Sequence, residues 1–161
     1  MKKKIRKGVF ETNSSSTHSI CIAKNVDIEI PNSIYFKFDY FGWEHNILYS
    51  TDEKANYLYT GLTACEREDD FLEILTFLTN KGIEVSYEMP LYDSNKFMTN
   101  GGYVDHSSEL KGLLDGLMEN KEKIINYLFS PLSFIITGND NNSSDVSIDV
   151  PYEHDEYYKG N

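Results

Sequence analysis

The spacing of apolar residues changes period at Ser50, and that change limits the fold more than any other feature of the chain. Before it, Ile34, Phe36, Phe38 and Tyr40 alternate with Tyr35, Lys37 and Asp39, the period-two pattern of a half-buried strand. After it, Ala55, Leu58, Tyr59 and Leu62 recur at helical spacing and line one face. Ser50 and Glu53 are placed as a capping box, in which each side chain satisfies a free backbone N–H of the first turn. A second helix follows: Phe71, Ile74, Leu75 and Leu78 form its stripe, Glu68, Asp69 and Asp70 suit its positive end, and Lys81-Gly82 stops it.

The remaining elements fall on either side of this pair. Ile20-Cys21-Ile22-Ala23 reads as a strand and Val26–Ile30 as another, so the N-terminal quarter predicts an antiparallel sheet of about three strands. Ile83–Tyr87 predicts a strand, residues 91–106 a polar loop, and Leu110, Leu113, Leu114, Leu117 and Met118 a helix. Gly112 and Gly116 weaken that helix and imply a close neighbour. Asn120 can cap a further helix carrying Ile124, Ile125 and Leu128, or the two can run on as one, and Pro131 ends it. Leu132–Thr137 predicts a central strand, and Val146–Val150 alternates once more. This order predicts an α+β domain, a mixed or mainly antiparallel sheet with helices packed on one face. Residues 1–150 are expected to form that single domain. Residues 151–161 are acidic and tyrosine-rich, a tail expected to be mobile unless a partner holds it.

Charge narrows the function. The chain has 161 residues, with 15 Lys and Arg against 26 Asp and Glu, a net charge of −11. Lys2, Lys3, Lys4, Arg6 and Lys7 lie in the first seven residues, which leaves −16 over residues 8–161. Such a body repels nucleic acid, since phosphate binding requires clustered cations, and it is drawn to basic protein surfaces. Solubility alone also accounts for acidity of this kind. Aromatic residues make up 14% of the chain, far more than a disordered acidic segment carries. No apolar stretch approaches the roughly 20 residues of a membrane span. The basic start meets Gly8 and Glu11 in place of an apolar core, unlike a secretory signal. Cys21 and Cys65 have no CxxC partner, so a reduced chain is expected.

Three polar segments could carry chemistry. Glu11, Asn13, Ser14, Ser15 and Ser16, followed by His18, could turn hydroxyls and backbone N–H groups toward a phosphate. A Ser-rich turn explains the same letters. Gly101-Gly102-Tyr103-Val104-Asp105-His106 permits a close backbone approach beside a carboxylate–imidazole pair, or an ordinary helix cap. Asp140 follows a buried strand, where a scaffold can present a functional group, or a plain turn can form. His45 and His154 read as packing or solvated residues, and Cys65, ahead of an acidic run, is a poor nucleophile. No Walker loop, GxGxxG, HExxH or GxSxG occurs.

Gly8-Val9-Phe10-Glu11-Thr12-Asn13-Ser14-Ser15-Ser16-Thr17-His18-Ser19 resembles the opening of a group of small bacteriophage and prophage proteins. Gly102–Ser108 and Thr137–Asp140 are similar to further segments of that group. The resemblance names no activity. It implies a viral or mobile element in a bacterial host, with the protein working in the host cytoplasm.

Two functions are compatible with these features. The first is an inhibitor of a host defence or nucleic-acid-handling protein, of the anti-CRISPR kind, whose carboxylates imitate phosphates on a basic host surface. Asp149, Glu153, Asp155, Glu156, Tyr157 and Tyr158 would then contact the partner. The second is a small enzyme or binding protein for a phosphate-containing ligand such as a nucleotide signal. Glu11, Asn13 and Ser14–Ser16 would bind it, and His18, Asp105, His106 and Asp140 would act on it, with metal and cofactor left open.

Overall fold

The computed structural model describes residues 18–23, 27–42, 44–138 and 156–159, the last as backbone; the side chain of Glu109 also lies outside the description. Eight strands and four α-helices occur among the described residues. In chain order they are β1 (Ser19–Ile22), β2 (Ser33–Phe36), β3 (Tyr40–Phe41), β4 (Asn46–Leu48), α1 (Thr51–Ala64), α2 (Glu68–Asn80), β5 (Glu84–Tyr87) and β6 (Tyr103–Val104). A 3-10 turn (Ser107–Leu110) then leads to α3 (Lys111–Glu119), α4 (Glu122–Phe129), β7 (Phe134–Thr137) and β8 (Glu156–Lys159). The architecture is α+β, as the period change predicts.

Helix α1 organises the molecule. Ser50 accepts from the Glu53 N–H while Glu53 Oε2 accepts from the Ser50 N–H, so the expected capping box is present. The sequence predicts one apolar face, but every residue from Lys54 to Leu62 is buried. The polar members tolerate burial because each has an interior partner. Lys54 Nζ donates to the carbonyls of Ser130 (2.8 Å) and Ser133 (3.0 Å) beyond the end of α4. The Tyr127 hydroxyl returns a bond to the Lys54 carbonyl. Asn56 and Thr60 accept from the backbone N–H groups of Lys37 and Asp39.

Those last two bonds explain the strand that the sequence marks most clearly. Residues 33–41 form one interrupted strand. β2 pairs in parallel with β5, and β3 pairs in parallel with β6. Between them, the N–H groups of Lys37, Phe38 and Asp39 find Asn56, Glu88 and Thr60 side chains in place of a neighbouring strand. Ile34, Phe36 and Phe38 point inward as expected, then the phase slips by one residue: Phe41 is buried and Tyr40 is 76% exposed.

Among the described residues, the predicted N-terminal antiparallel sheet does not form. Residues 27–30 are not a strand, and Ile30 is exposed. β1 instead reaches across the chain to pair antiparallel with β7 and β8, while β4 pairs with β7, giving the order β4-β7-β1-β8. Helices α1 and α2 supply the long crossover that a parallel β2–β5 pair needs and a hairpin cannot. β7 is internal to its sheet, as expected. Glu156–Lys159, part of the segment expected to be mobile, adds to the free edge of β1. The alternating stretch 146–150 lies outside the described residues.

Two glycines matter to the packing. Gly82 ends α2 at φ +85°, a conformation that L side chains resist. A Cβ on Gly102 would collide with the backbone of Asp39 and with the Thr60 methyl, so this position requires glycine for close approach. Gly112, expected to face a tight neighbour, faces open space.

Candidate functional site

One end of the antiparallel sheet gathers described parts of all three polar segments. The pairing of Ser19 with Ile136 sets His18 abreast of Thr137. Thr137 Oγ1 donates to the Glu44 carbonyl (2.7 Å) and accepts from the Asn46 N–H. His18 is buried, with 5% exposure. Its Nε2 lies 3.0 Å from the Gly42 carbonyl, and its Nδ1 lies 2.8 Å from the Tyr57 hydroxyl. A carbonyl can only accept, so the proton sits on Nε2, and in the neutral ring Nδ1 accepts from Tyr57. Burial pushes the Tyr57 hydroxyl far above its ordinary range, with Cys65 adding to the effect, which keeps that donor protonated. The preceding carbonyl, that of Phe41, accepts from the Asp105 N–H (2.9 Å). Phe41 and Gly42 therefore hold the 103–106 segment and His18 in adjacent positions.

Asp105 accepts from the Tyr103 hydroxyl (2.6 Å) and from the His106 N–H. The bond to Asp105, with smaller help from burial, raises the Tyr103 pKa. His106 adopts a left-handed backbone (φ 51°) and precedes the 3-10 turn. The structure thus places the His18 ring and the Asp105 backbone on the adjacent carbonyls of Gly42 and Phe41, with His106 next along the chain. Glu11, Asn13, Ser14, Ser15, Ser16 and Asp140 lie outside the described residues, as do Asp149, Glu153 and Asp155. Glu156, Tyr157 and Tyr158 lie on β8, opposite Ile22, Cys21 and Ile20. No group of three His, Cys, Asp or Glu is placed to hold a metal among the described residues.

A second polar region, an open cleft of about 510 Å³, lies between Cys65–Arg67 and Ser107–Lys111. Cys65, Arg67 and Asp115 in it are already engaged. Cys65 Sγ donates to the Ser107 carbonyl (3.2 Å), and burial raises its thiol pKa, so a thiolate is disfavoured. Arg67 pairs with Asp70 and, at 2.7 Å, with Asp115.

The opposite situation holds at residues 88–100, which leave β5 and return to β6. The sequence predicts a polar loop; the structure shows an ordered excursion with apolar side chains turned outward. Asn100 closes its base by accepting from the Leu91 N–H (2.7 Å) and donating to the Met89 carbonyl and Glu88. At the tip, the Asp93 carboxylate accepts from the N–H groups of Asn95 and Phe97, an Asx arrangement that fixes the turn. Lys96 takes the left-handed position there (φ 66°). Tyr92 and Met98 bridge the two arms. Phe97 (71%), Met89 (62%), Tyr92 (60%) and Leu91 are exposed. A signal was available in the sequence: Met89, Leu91, Tyr92, Phe97 and Met98 are five large apolar residues in a stretch with no strand or helix period.

Between this excursion and α2 is a small cup of about 170 Å³. Tyr59 and Phe71 form its floor, with ring centroids 4.4 Å apart, and Tyr87 stands edge-on to Phe71 at 5.3 Å. The Tyr59 hydroxyl donates to the Glu88 carbonyl (2.8 Å), which locks its ring. Burial, and then neighbouring Tyr87 and Glu88, push that hydroxyl up to about 12. Met89 and Tyr92 form the outer wall, and the exposed Glu68 stands at the rim.

Comparison with protein-family models, with curated proteins and with solved structures finds no match.

Proposed function

We propose that this protein acts by binding a partner with a basic surface, of the kind that nucleic-acid-handling proteins present, and that it blocks that surface. One observation carries the reading: a hydrogen-bonded excursion holds Met89, Leu91, Tyr92 and Phe97 out to solvent on a chain of net charge −11. Large exposed apolar side chains on a rigid support are what interfaces use as anchors, and surrounding carboxylates supply attraction and register to a cationic partner. A host defence effector fits this chemistry, and the N-terminal resemblance to phage proteins supports such a target.

Capture from a bacterial lysate over a salt series tests the proposal. The wild-type chain should retain a basic protein that elects to elute with rising salt and that loses its nucleic-acid binding in the complex. A Tyr92→Ala/Phe97→Ala variant should lose the capture. Equal capture by the variant, or a partner that still binds nucleic acid, would overturn the proposal.

The nearness of the His18 ring to the backbone of the 105–106 segment, through the adjacent carbonyls of Gly42 and Phe41, favours a second reading, a binding protein or small enzyme for a phosphate-containing ligand. A thermal shift with nucleotides and divalent cations would support it. Its weakness is that both His18 ring nitrogens are already bonded to protein atoms.

A further inference from the structure

We infer that the cup between α2 and the 88–100 excursion is a receptor for one arginine side chain of a protein partner. The inference rests on the proposed function and gives its interface a specific contact. Tyr59 and Phe71 form its buried floor, Tyr87, Tyr92, Met89 and Leu72 are among the residues of its walls, and Glu68 stands at the rim.

Aromatic faces carry negative potential and attract a cation placed over them, and a planar guanidinium can also stack on a ring. The rings are already set: Tyr59 packs against Phe38 (4.5 Å) and Phe71 (4.4 Å) and is tied to Glu88, and it holds Tyr87 edge-on. Tyr87 and Tyr92 are therefore the rings a guanidinium meets. A preformed site loses little freedom on binding. Glu68 makes no ion pair among the described residues and can take the guanidinium N–H groups as they enter. Size selects as well. The cup, about 170 Å³, is smaller than the roughly 300–1,000 Å³ of small-molecule sites, so it suits a side-chain head and excludes a nucleotide. The carboxylate and the overall charge disfavour any anion.

The test uses the full chain with 13C-labelled methionine methyls, titrated with N-acetyl-arginine amide, its uncharged citrulline analogue, and N-acetyl-leucine amide. Arginine should shift the Met89 methyl saturably, at least about threefold more tightly than citrulline, and leucine should move it least. Glu68→Gln should weaken arginine by roughly threefold, and Tyr92→Ala should weaken it by roughly threefold to thirtyfold with an unchanged unfolding temperature. A stronger response to leucine would make the cup an apolar socket and overturn the inference, as would an unmoved Met89 methyl. The two claims fail separately. Arginine binding in the cup without any basic protein captured removes the proposed function alone. Capture of a basic protein at wild-type strength by Tyr92→Ala removes the arginine receptor alone.

Discussion

The His18 junction and the 88–100 excursion handle side chains in opposite ways. At the junction, His18 and Thr137 are buried and hydrogen-bonded within the protein, His18 to Tyr57 and Gly42, Thr137 to Glu44 and Asn46. On the excursion, apolar groups are exposed although the backbone beneath them is fully organised by Asn100 and Asp93. A saturated buried network specifies how chain segments meet. An ordered support under exposed aromatic residues has no such internal use, because turning them inward would bury more apolar area. The contrast fits a structural role for the first region and, under the proposed function, recognition for the second.

The comparison is sharpened first at Gly102, where the excursion rejoins the body. Gly102→Ala forces a methyl into the Asp39 backbone and should cost on the order of 3 kcal/mol or more, read by denaturant unfolding. His18→Ala comes next. It leaves the buried Tyr57 hydroxyl and the Gly42 carbonyl without a partner, so a loss of roughly 2–3 kcal/mol is expected. Unchanged stability in that variant would break the structural assignment.

A pH series gives a third measure. Burial lowers the Lys54 pKa from 10.5 to about 8, so between these values the unfolded chain binds more protons than the folded one. Lys54 should therefore contribute roughly 2 kcal/mol of added stability from pH 8 toward pH 10. The effect is read as the difference between wild type and Lys54→Met, because burial raises the Cys21 and Cys65 thiols, which act in the opposite direction in the same window. Above pH 10 the raised pKa values of Tyr57, Tyr59 and Tyr127 reverse the sign, because the unfolded chain then loses phenolic protons that the fold retains. The smallest stability effect belongs to the excursion. Tyr92→Ala and Phe97→Ala should each stay within about 0.5 kcal/mol of wild type by thermal unfolding.

Local signals carried the helices and little of the pairing. The Ser50–Glu53 capping box and the Lys81-Gly82 stop are written in adjacent residues, and both are where the spacing puts them. The strand through Ile34, Phe36 and Phe38 was legible from alternation, but its partners were not, because parallel pairing with β5 and β6 depends on where α1 and α2 return the chain. The slip that exposes Tyr40 follows from Asn56 and Thr60 bonding the intervening backbone, a contact between residues about 20 positions apart. For the same reason His18 reads as reactive in the sequence, since Tyr57 and Gly42 are remote from it. The excursion was hidden because Asn, Asp, Ser and Gly mark a loop without revealing which way its apolar residues face.

The most direct test of the central claim is calorimetric titration of the captured basic partner with the Tyr92→Ala/Phe97→Ala chain, against wild type under the same salt. The account predicts at least about a tenfold loss of affinity at unchanged folding stability. Affinity equal to wild type would contradict it, and would move recognition away from the excursion.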